Sequence, residues 1–501
     1  MPFEYSFFDS CLRLSHKGWR PFLLINVALL AACSTQPPYE RPAIDLPAAY
    51  KEGMADSAVW QAAQPVDSVP DAWWTLFNDP VLDALQQQAQ ASNQNIAASV
   101  ASLRAARAAV DGSSAGLWPT LGANAGGTRS RSNSAATSNG TVNTNGYRTT
   151  NYNAGLSASW EPDLWGRLSG GVDAAQANAQ ASADDLAALR LSVQASVAQT
   201  YFSLRAAEVQ GRLLRETLEA YQRSWDLTRN RYRAGVASSA DVAQAESQYK
   251  STQAQLIEAE TGRAQLEHAL AALVGSAPAA FSLQPLAASI DLPAPPGVPA
   301  QLPSRLLERR PDIAAAERRV AAANAQVGVA RAAFFPSVTL SATAGYRSTS
   351  LSHLLSAPNL VWSLGPALAT PLFDGGARAA AVESARAAQD KAAAAYRQAV
   401  LTALQEVEDN LTAGAALERE QAVQAEALAA AQRALEVVNN QYRAGTVAYL
   451  NVLSAQATAL SAQRSLIDVR NRRLAAVTVL LKNVAGRWEP EPEPGQPPAP
   501  N

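Results

Sequence analysis

The chain has 501 residues, of which 48% are apolar and 17% charged, with a net charge of -2. The length allows about three ordinary domains, and the charged share falls below the roughly 25% of ordinary soluble domains. No basic run is long enough to neutralise a phosphate backbone, which sets nucleic acid aside as a partner.

At the N-terminus, Arg13, Lys17 and Arg20 precede the apolar run PFLLINVALLAA and then Cys33. A run of about a dozen apolar residues is too short to span a bilayer but suits the core of a signal peptide, expected over 1–32. Leu30, Ala31, Ala32 and Cys33 resemble a bacterial lipobox. That resemblance implies lipidation at Cys33, with an N-acyl chain and an S-diacylglycerol group, and Ser34 resembles an outer-membrane address. The plainer reading, the end of an ordinary secretion signal, stands beside it. Cys11 would leave with the signal, so the mature chain would hold one cysteine and no disulfide.

From 33 to 70 proline and small residues predict an extended, lipid-anchored tether. Asp79 suits an N-cap and Pro80 the first helical position, so a helix is expected from there towards Gly112, within a segment spanning 71–117. At the far end, EPEPGQPPAPN cannot form a core, and 485–501 is expected to be a disordered tail.

The chain is internally duplicated. IAASVASLRAARAAVDGSSAGLWPTLGANAGG, from Ile96, aligns with IAAAERRVAAANAQVGVARAAFFPSVTLSATAGY, from Ile313, matching Trp118-Pro119 with Phe335-Pro336. RYRAGVASSADVAQAESQYKSTQAQL, from Arg231, likewise matches QYRAGTVAYLNVLSAQATALSAQRSL, from Gln441. Each half reads helix, strand, loop, strand, long helix, tight turn, long helix. The hairpins are expected over 118–165 and 334–373, with the helix of the second half over 311–333. The long helices and their turns fall over 166–274 and 374–484, joined by a linker at 275–310.

The strands alternate. Val338, Leu340, Ala342, Ala344 and Tyr346 point one way and Ser337, Thr339, Ser341, Thr343 and Gly345 the other; Tyr152, Ala154, Leu156, Ala158 and Trp160 repeat the pattern. NLVWSLGPALATPLF is less regular and broken by Pro366, and Ser132 to Gly146 reads as an exposed loop. In the long helices, Val193, Thr200, Ala207, Leu214, Tyr221 and Thr228 step by seven, as do Val197, Leu204, Gly211, Leu218, Trp225 and Tyr232, forming an a/d-like seam. A helix from Gly170 to Arg233 would be on the order of 95 Å long. Taken alone, the seam describes a coiled coil.

Four strands cannot close a barrel, and open edges are not tolerated in a bilayer, so closure requires further copies. Two copies give a filled barrel of about eight strands, three give about twelve with an open lumen. A soluble sheet covered by helices is the other use of such strands. At the helix turns, Gly235 and Gly445 suit left-handed C-caps, and Ser238 with Asp241 suits a capping box.

LLERRPDIAAAERRVAAANAQVGVARAAFFPSVTLSATAGY, from Leu306 to Tyr346, resembles the signature of the TolC-type outer-membrane efflux family, in its NodT-like lipoprotein branch. RYRAGVASSADV, QEVEDNL at Gln405 to Leu411 and QYRAGTVAYLNVL are similar to further family segments, in matching order. The resemblance implies a mostly α chain with membrane β: a homotrimer with a 12-stranded β-barrel in outer-membrane lipid, four strands per chain, continued by a 12-helix periplasmic α-barrel. It implies the outer-membrane channel of a tripartite efflux pump for small molecules, working with a periplasmic adaptor protein and an inner-membrane RND-type transporter. Arg233, Gly235, Val236, Ser238, Arg443, Gly445 and Thr446 would then be the adaptor-contact tip turns. Glu406, Glu408 and Asp409 would be gate residues, although acidic residues on long helices also serve simply as solvated faces. A lipid-anchored structural coiled-coil protein and the exit duct of a secretion system are the alternative functions. An enzyme is not expected: His268 and His353 lack metal-site spacing, no cofactor or metal motif occurs, and the DGG at Asp374 lacks the lysine of a phosphate loop.

Overall fold

The computed structural model describes residues 36–45, 51, 60–62, 72–132, 136–138, 141–143, 147–287, 291–300 and 310–484. The expected signal peptide, Cys33, the expected C-terminal tail and most of the expected tether lie outside the described residues. In chain order the elements are β1 (Trp60–Ala62), α1 (Pro80–Ser92), α2 (Gln94–Ala115), β2 (Thr120–Ser132), β3 (Ala136–Ser138), β4 (Thr141–Asn143), β5 (Tyr147–Trp160), α3 (Arg167–Arg233), α4 (Ser239–Leu273), β6 (Val298–Ala300), α5 (Pro311–Ala332), β7 (Ser337–Ser348), β8 (Leu360–Ala369), α6 (Ala377–Arg443) and α7 (Tyr449–Val484). The duplication expected from sequence is visible in this order: α2 to α4 and α5 to α7 repeat helix, hairpin and paired long helices.

The chain divides into two compact units. One holds the described residues of Met1–Arg41 with Arg104–Gln180 and Glu317–Ala394. Its centre is a four-stranded antiparallel sheet in the order β2-β5-β7-β8, so the two expected hairpins are joined edge to edge through β5 and β7. The segment read as a plain loop between β2 and β5 carries a small antiparallel pair, β3 with β4. Residues 36–41 lie against α5: the Tyr39 hydroxyl donates to Glu317 at 3.0 Å and the Asn324 amide to the Pro37 carbonyl at 3.0 Å. A Cβ on Gly328 would stand 2.9 Å from the Gln36 Cα, so only glycine lets this strap approach the helix so closely.

Capping residues start the long helices in this unit. Asp163 accepts from the backbone N–H groups of Leu168 and Ser169 at 3.0 and 2.7 Å, and Asp374 from those of Gly376 and Arg378 at 3.0 and 3.2 Å. Carboxylates there satisfy otherwise orphaned donors and complement the helix dipole. The DGG at Asp374 is thus a strand-to-helix turn, with Gly375 and Gly376 both at positive φ.

The second unit comprises Pro42–Leu103, Ala181–Ala316 and Ala395–Asn501, of which the described residues form the core of the long helices. As expected, Asp79 caps α1, accepting from Val81 and Leu82 at 2.9 and 3.3 Å. The helix does not continue unbroken to Gly112. Asn93 leaves helical geometry at ψ 125°, and its side-chain oxygen accepts from Asn95 and Ile96 at 2.9 and 3.1 Å, which starts α2. Its amide donates to the Leu273 carbonyl at 2.7 Å, tying this break to the end of α4.

Trp73, Phe77, Leu82 and Leu85 are buried, and of the α3 seam Val193, Val197, Leu204, Gly211, Leu214, Tyr221 and Thr228 are buried while Thr200, Ala207, Leu218 and Trp225 are half-buried. Tyr232, next to the turn, is 49% exposed, so the seam does not hold to the end of the helix. Phe77 and Phe202 stand 4.7 Å apart between ring centres, and the Tyr201 hydroxyl donates to Asp79 at 2.5 Å. Tether and linker are not wholly unpaired: β1 and β6 form a short parallel ladder. Arg205, Glu208, Arg263 and Glu267 hold the linker, with the Arg205 guanidinium donating to the Gln284 carbonyl at 2.8 Å and Glu267 accepting from the Leu283 N–H at 2.8 Å.

Candidate channel wall and tip turns

Strand register sorts the sheet into two chemically distinct faces. Leu121, Ala123 and Ala125 on β2 share one face with Tyr152, Leu156 and Trp160 on β5, Val338, Leu340 and Tyr346 on β7, and Leu360, Trp362, Leu364 and Leu368 on β8. The other face carries Thr120, Asn124 and Thr128, Asn151, Asn153 and Ser157, Ser337, Thr339 and Ser341, and Ser363. Val338 and Ser337 therefore look opposite ways, as the alternation required. The irregularity of β8 touches both faces: Pro366 falls on the apolar side between Leu364 and Leu368, opposite Leu340, and Val361 falls on the polar side, opposite Gly345. As an edge strand, β8 tolerates a proline that cannot donate to a ladder.

Among the described residues the apolar face is largely uncovered, with Trp362 74% and Leu368 70% exposed and Tyr152, Val338 and Tyr346 half-buried. Among the described residues both outer strands, β2 and β8, have one ladder partner each and present unpaired backbone groups on their far sides. The hairpins meet where Gly155 lies directly opposite Gly345. A Cβ on Gly345 would come within 2.5 Å of the Gly155 Cα and 2.6 Å of the Ala154 carbonyl oxygen, so the junction requires glycine for close approach.

At the foot of the strands the two halves have diverged. Trp118 is 72% exposed, whereas its counterpart Phe335 stacks on Trp165 at 4.9 Å. The Trp165 indole donates to the Pro336 carbonyl at 2.7 Å, and the Trp160 indole to the Leu117 carbonyl at 2.9 Å.

The tip turns have the geometry expected of them. Gly235 at φ 76° and Gly445 at φ 77° occupy the left-handed region. Val236 N–H donates to the Arg231 carbonyl at 2.8 Å and Thr446 N–H to the Gln441 carbonyl at 3.0 Å, closing the last turns of α3 and α6. The Ser238 hydroxyl accepts from Asp241 N–H at 3.1 Å while Asp241 accepts from Ser238 N–H at 3.0 Å, a complete capping box on α4. The second turn instead uses the Thr446 hydroxyl, which donates to the Gln441 carbonyl at 3.0 Å. Arg233, Gly235, Val236, Ser238, Arg443, Gly445 and Thr446 belong to these two exposed turns and are brought into register by a buried cluster behind them. There Tyr449, Val452, Leu453 and Ala245 pack with Trp225 and Tyr442, Arg231 lies over the Tyr442 ring at 5.0 Å, and the Ser224 and Tyr449 hydroxyls meet at 2.8 Å.

Glu406, Glu408 and Asp409 lie in the middle of α6. From Glu406 to Arg443 is 37 residues, about 55 Å of helix, so these residues are not at the tip. Glu406 accepts from Arg310 at 3.0 Å, Glu408 from the Lys51 N–H at 2.7 Å, and Asp409 from the Gln405 amide at 3.3 Å. Arg310, almost fully buried, also donates to both oxygens of Asp312 at 3.0 and 2.7 Å and to Asn483 at 3.2 Å. Burial pushes the Asp312 carboxyl up, but the Arg310 hydrogen bonds and charge, with the Ile313 N–H, outweigh it and hold the carboxyl below its usual range. The sequence marked RRPDI only as a motif; the partners of its arginine lie too far along the chain for spacing to show.

A two-faced sheet with open edges, in a chain with two helices of 67 residues, each turning back into a helix of 35 or 36, defines a chain built to complete a wall. The family model described as outer membrane efflux protein matches residues 85–276 and 302–486. The toluene efflux pump outer membrane protein TtgC of Pseudomonas putida is 32% identical over 469 residues, covering 93% of this chain and 95% of its own. The probable outer membrane lipoprotein SilC of Salmonella typhimurium is 30% identical over 433 residues, covering 86% and 90%. Among solved structures, the outer-membrane channel OprN superposes with a TM-score of 0.82 at 29% identity, covering 91% of this chain and 99% of that one. The chain belongs to the outer membrane efflux protein family. It is an efflux channel of the outer membrane, and the members of its family are channel proteins rather than enzymes.

Proposed function

We propose that three copies assemble as the outer-membrane duct of a tripartite efflux pump, receiving small molecules through a periplasmic adaptor from an RND-type inner-membrane transporter. The observation that carries this reading is the pair of open edges on β2 and β8 beside a largely uncovered apolar face. Three copies of a four-stranded sheet pair those edges into a twelve-stranded barrel, which is wide enough for a lumen. The Ser, Thr, Asn and Gly face then lines water and the Leu, Trp and Tyr face meets lipid.

In this reading the tip turns receive the adaptor: they are exposed, rigidly capped, and Val236 offers an apolar contact, being 66% exposed. Cys33 carries the acyl and diacylglycerol groups, a proposal supported by the lipobox and by the lipoprotein name of SilC. Because residues 406–409 sit in mid-helix, we assign Asp409, the exposed member, to a cation-attracting ring inside the helical section rather than to closure at the tip. Glu406 is compensated by Arg310 and serves cohesion. TtgC is named for toluene efflux; for this chain a small toxic organic compound is the substrate class proposed, with selection by the transporter.

The test is the mass of the detergent-extracted assembly from outer membranes, together with its conductance in a planar bilayer. A mass near three mature chains and a stable conductance are expected. A monomer, or a trimer that conducts nothing, would overturn the reading in favour of a structural coiled-coil protein.

A further inference from the structure

The strand segments carry charge of one sign only. Residues 118–160 and 336–373 contain Arg129, Arg131, Arg148 and Arg347, with His353 in the β7–β8 connection, and not one Asp, Glu or Lys. Register places Arg131 directly opposite Arg148, and Arg129 two residues along the same face from Arg131, opposite Thr150. All three arginines are exposed, and they stand on the same side of the sheet as Leu121, Leu156 and Trp160, the side assigned to lipid. Arg347 is on the other side, opposite Asn153.

Like charges directly opposite one another on a sheet are destabilising. No carboxylate in these segments, nor in the same segments of a neighbouring copy, can relieve them. The height is also informative. Along β2, Arg129 is eight and Arg131 ten residues beyond Leu121, about 20 and 25 Å at 3.3 Å per residue and a tilt of about 40°. The apolar band of an outer-membrane barrel is about 25 Å tall, so the arginines reach its upper boundary, where outer-leaflet headgroups begin.

We propose that Arg129, Arg131 and Arg148 form a binding site for the phosphate groups of an outer-leaflet glycolipid, one site per chain. This proposal rests on the barrel reading. A phosphate between Arg131 and Arg148 replaces their repulsion with two-pronged, charge-assisted hydrogen bonds, a geometry guanidinium groups match well. The lipid's acyl chains continue down the adjoining apolar face past Tyr152 and Leu156. Free phosphate shares the headgroup chemistry but lacks these chains, so the continuity of the basic and apolar surfaces favours the lipid.

The experiment uses the full-length protein extracted from outer membranes, delipidated in mild detergent, and titrated with purified lipid A carrying both phosphates. Binding is read by native mass spectrometry against enzymatically dephosphorylated lipid A and in competition with inorganic phosphate. The double variant Arg131→Gln/Arg148→Gln is expected to bind the phosphorylated lipid about tenfold or more weakly, the loss typical of removed charge-assisted hydrogen bonds. Arg347→Gln is expected to bind as wild type. Equal binding of both lipid forms, an unchanged double variant, or complete displacement by inorganic phosphate would overturn the proposal. The same preparations are tested for conductance: a conducting wild type with no phosphate-dependent lipid binding defeats this site alone, while absent conductance defeats the barrel reading beneath it.

Discussion

Arg310 and Glu406, separated by 96 residues in the chain, are joined by a 3.0 Å hydrogen-bonded ion pair. Arg310 is buried and also holds Asp312 and Asn483, so the start of α5, the middle of α6 and the end of α7 converge on one guanidinium. Breaking a buried pair by removing one partner costs about 3 kcal/mol or more, because the remaining charges stay desolvated. Partial exposure of Glu406 and Asp312 lowers that figure.

Arg310→Met is therefore expected to destabilise the helical region by about 2–3 kcal/mol. The pH dependence has a definite sign. Asp312 is held below its usual range, so its contribution is present above the unfolded carboxylate pKa and is lost as pH falls through the lower folded value. Wild-type stability should decline below about pH 4, and this Asp312 contribution should shrink in the variant. Thermal unfolding of detergent-solubilised protein between neutral and acidic pH checks both. Equal stability of wild type and variant at neutral pH would exclude a cohesive role for Arg310.

Gly345→Ala is expected to prevent β5 from pairing with β7, since its methyl group would overlap the Gly155 backbone. Gly155→Ala meets its nearest atom at 3.1 Å and should be milder. Recovery of heat-resistant assembly from outer membranes should fall in the order wild type, Gly155→Ala, Gly345→Ala. The reverse order would contradict the junction.

At the tip, Gly235→Val places a branched side chain at φ 76°, with no neighbouring atom within 4 Å of its Cβ. The cost is conformational, about 1–2 kcal/mol, and local to the turn. Export, measured as resistance to toxic compounds in a strain lacking its own copy, should drop while the assembly keeps its wild-type mass. Loss of the assembly itself would argue that the turn is needed for folding rather than docking.

Asn93→Ala removes a helix cap and leaves the Leu273 carbonyl without its amide donor. A loss of about 1–2 kcal/mol is expected. Asn93→Asp, which keeps the cap but not the donor, should recover part of it in denaturant unfolding.

Asp409→Ala should leave assembly mass unchanged and reduce the preference for cations over anions in single-channel recordings. Unchanged ion preference would remove Asp409 from the channel interior.

Much of the architecture was legible in the sequence because it is written in local repeats. Alternation in Ser337 to Tyr346 and the seven-residue step through Val197, Leu204 and Gly211 each report which side of an element meets water, and neighbours along the chain suffice to read them. The tip turns were equally open, since Gly235, Gly445 and the Ser238–Asp241 box act within a few residues. What escaped were polar side chains whose partners are distant or whose alternatives compete locally. Asn93 interrupts a helix that apolar spacing alone carries through, because its side chain can satisfy backbone donors and its amide finds Leu273 across 180 residues. Glu406, Glu408 and Asp409 were read by resemblance as gate residues, with a solvated face as the other reading; the Arg310 partner of Glu406 lies 96 residues away, too far for spacing to show.

The amino-acid sequence by itself determined the duplication, the four two-faced strands and the paired long helices, because periodicity is a property of consecutive residues. Only the tertiary structure decided that the hairpins join through Gly155 and Gly345, that Arg131 stands opposite Arg148, and that Arg310 gathers three helices. Those outcomes depend on register and on the closing of long loops, whose entropy must be offset by contacts between residues that carry no mutual signal along the chain.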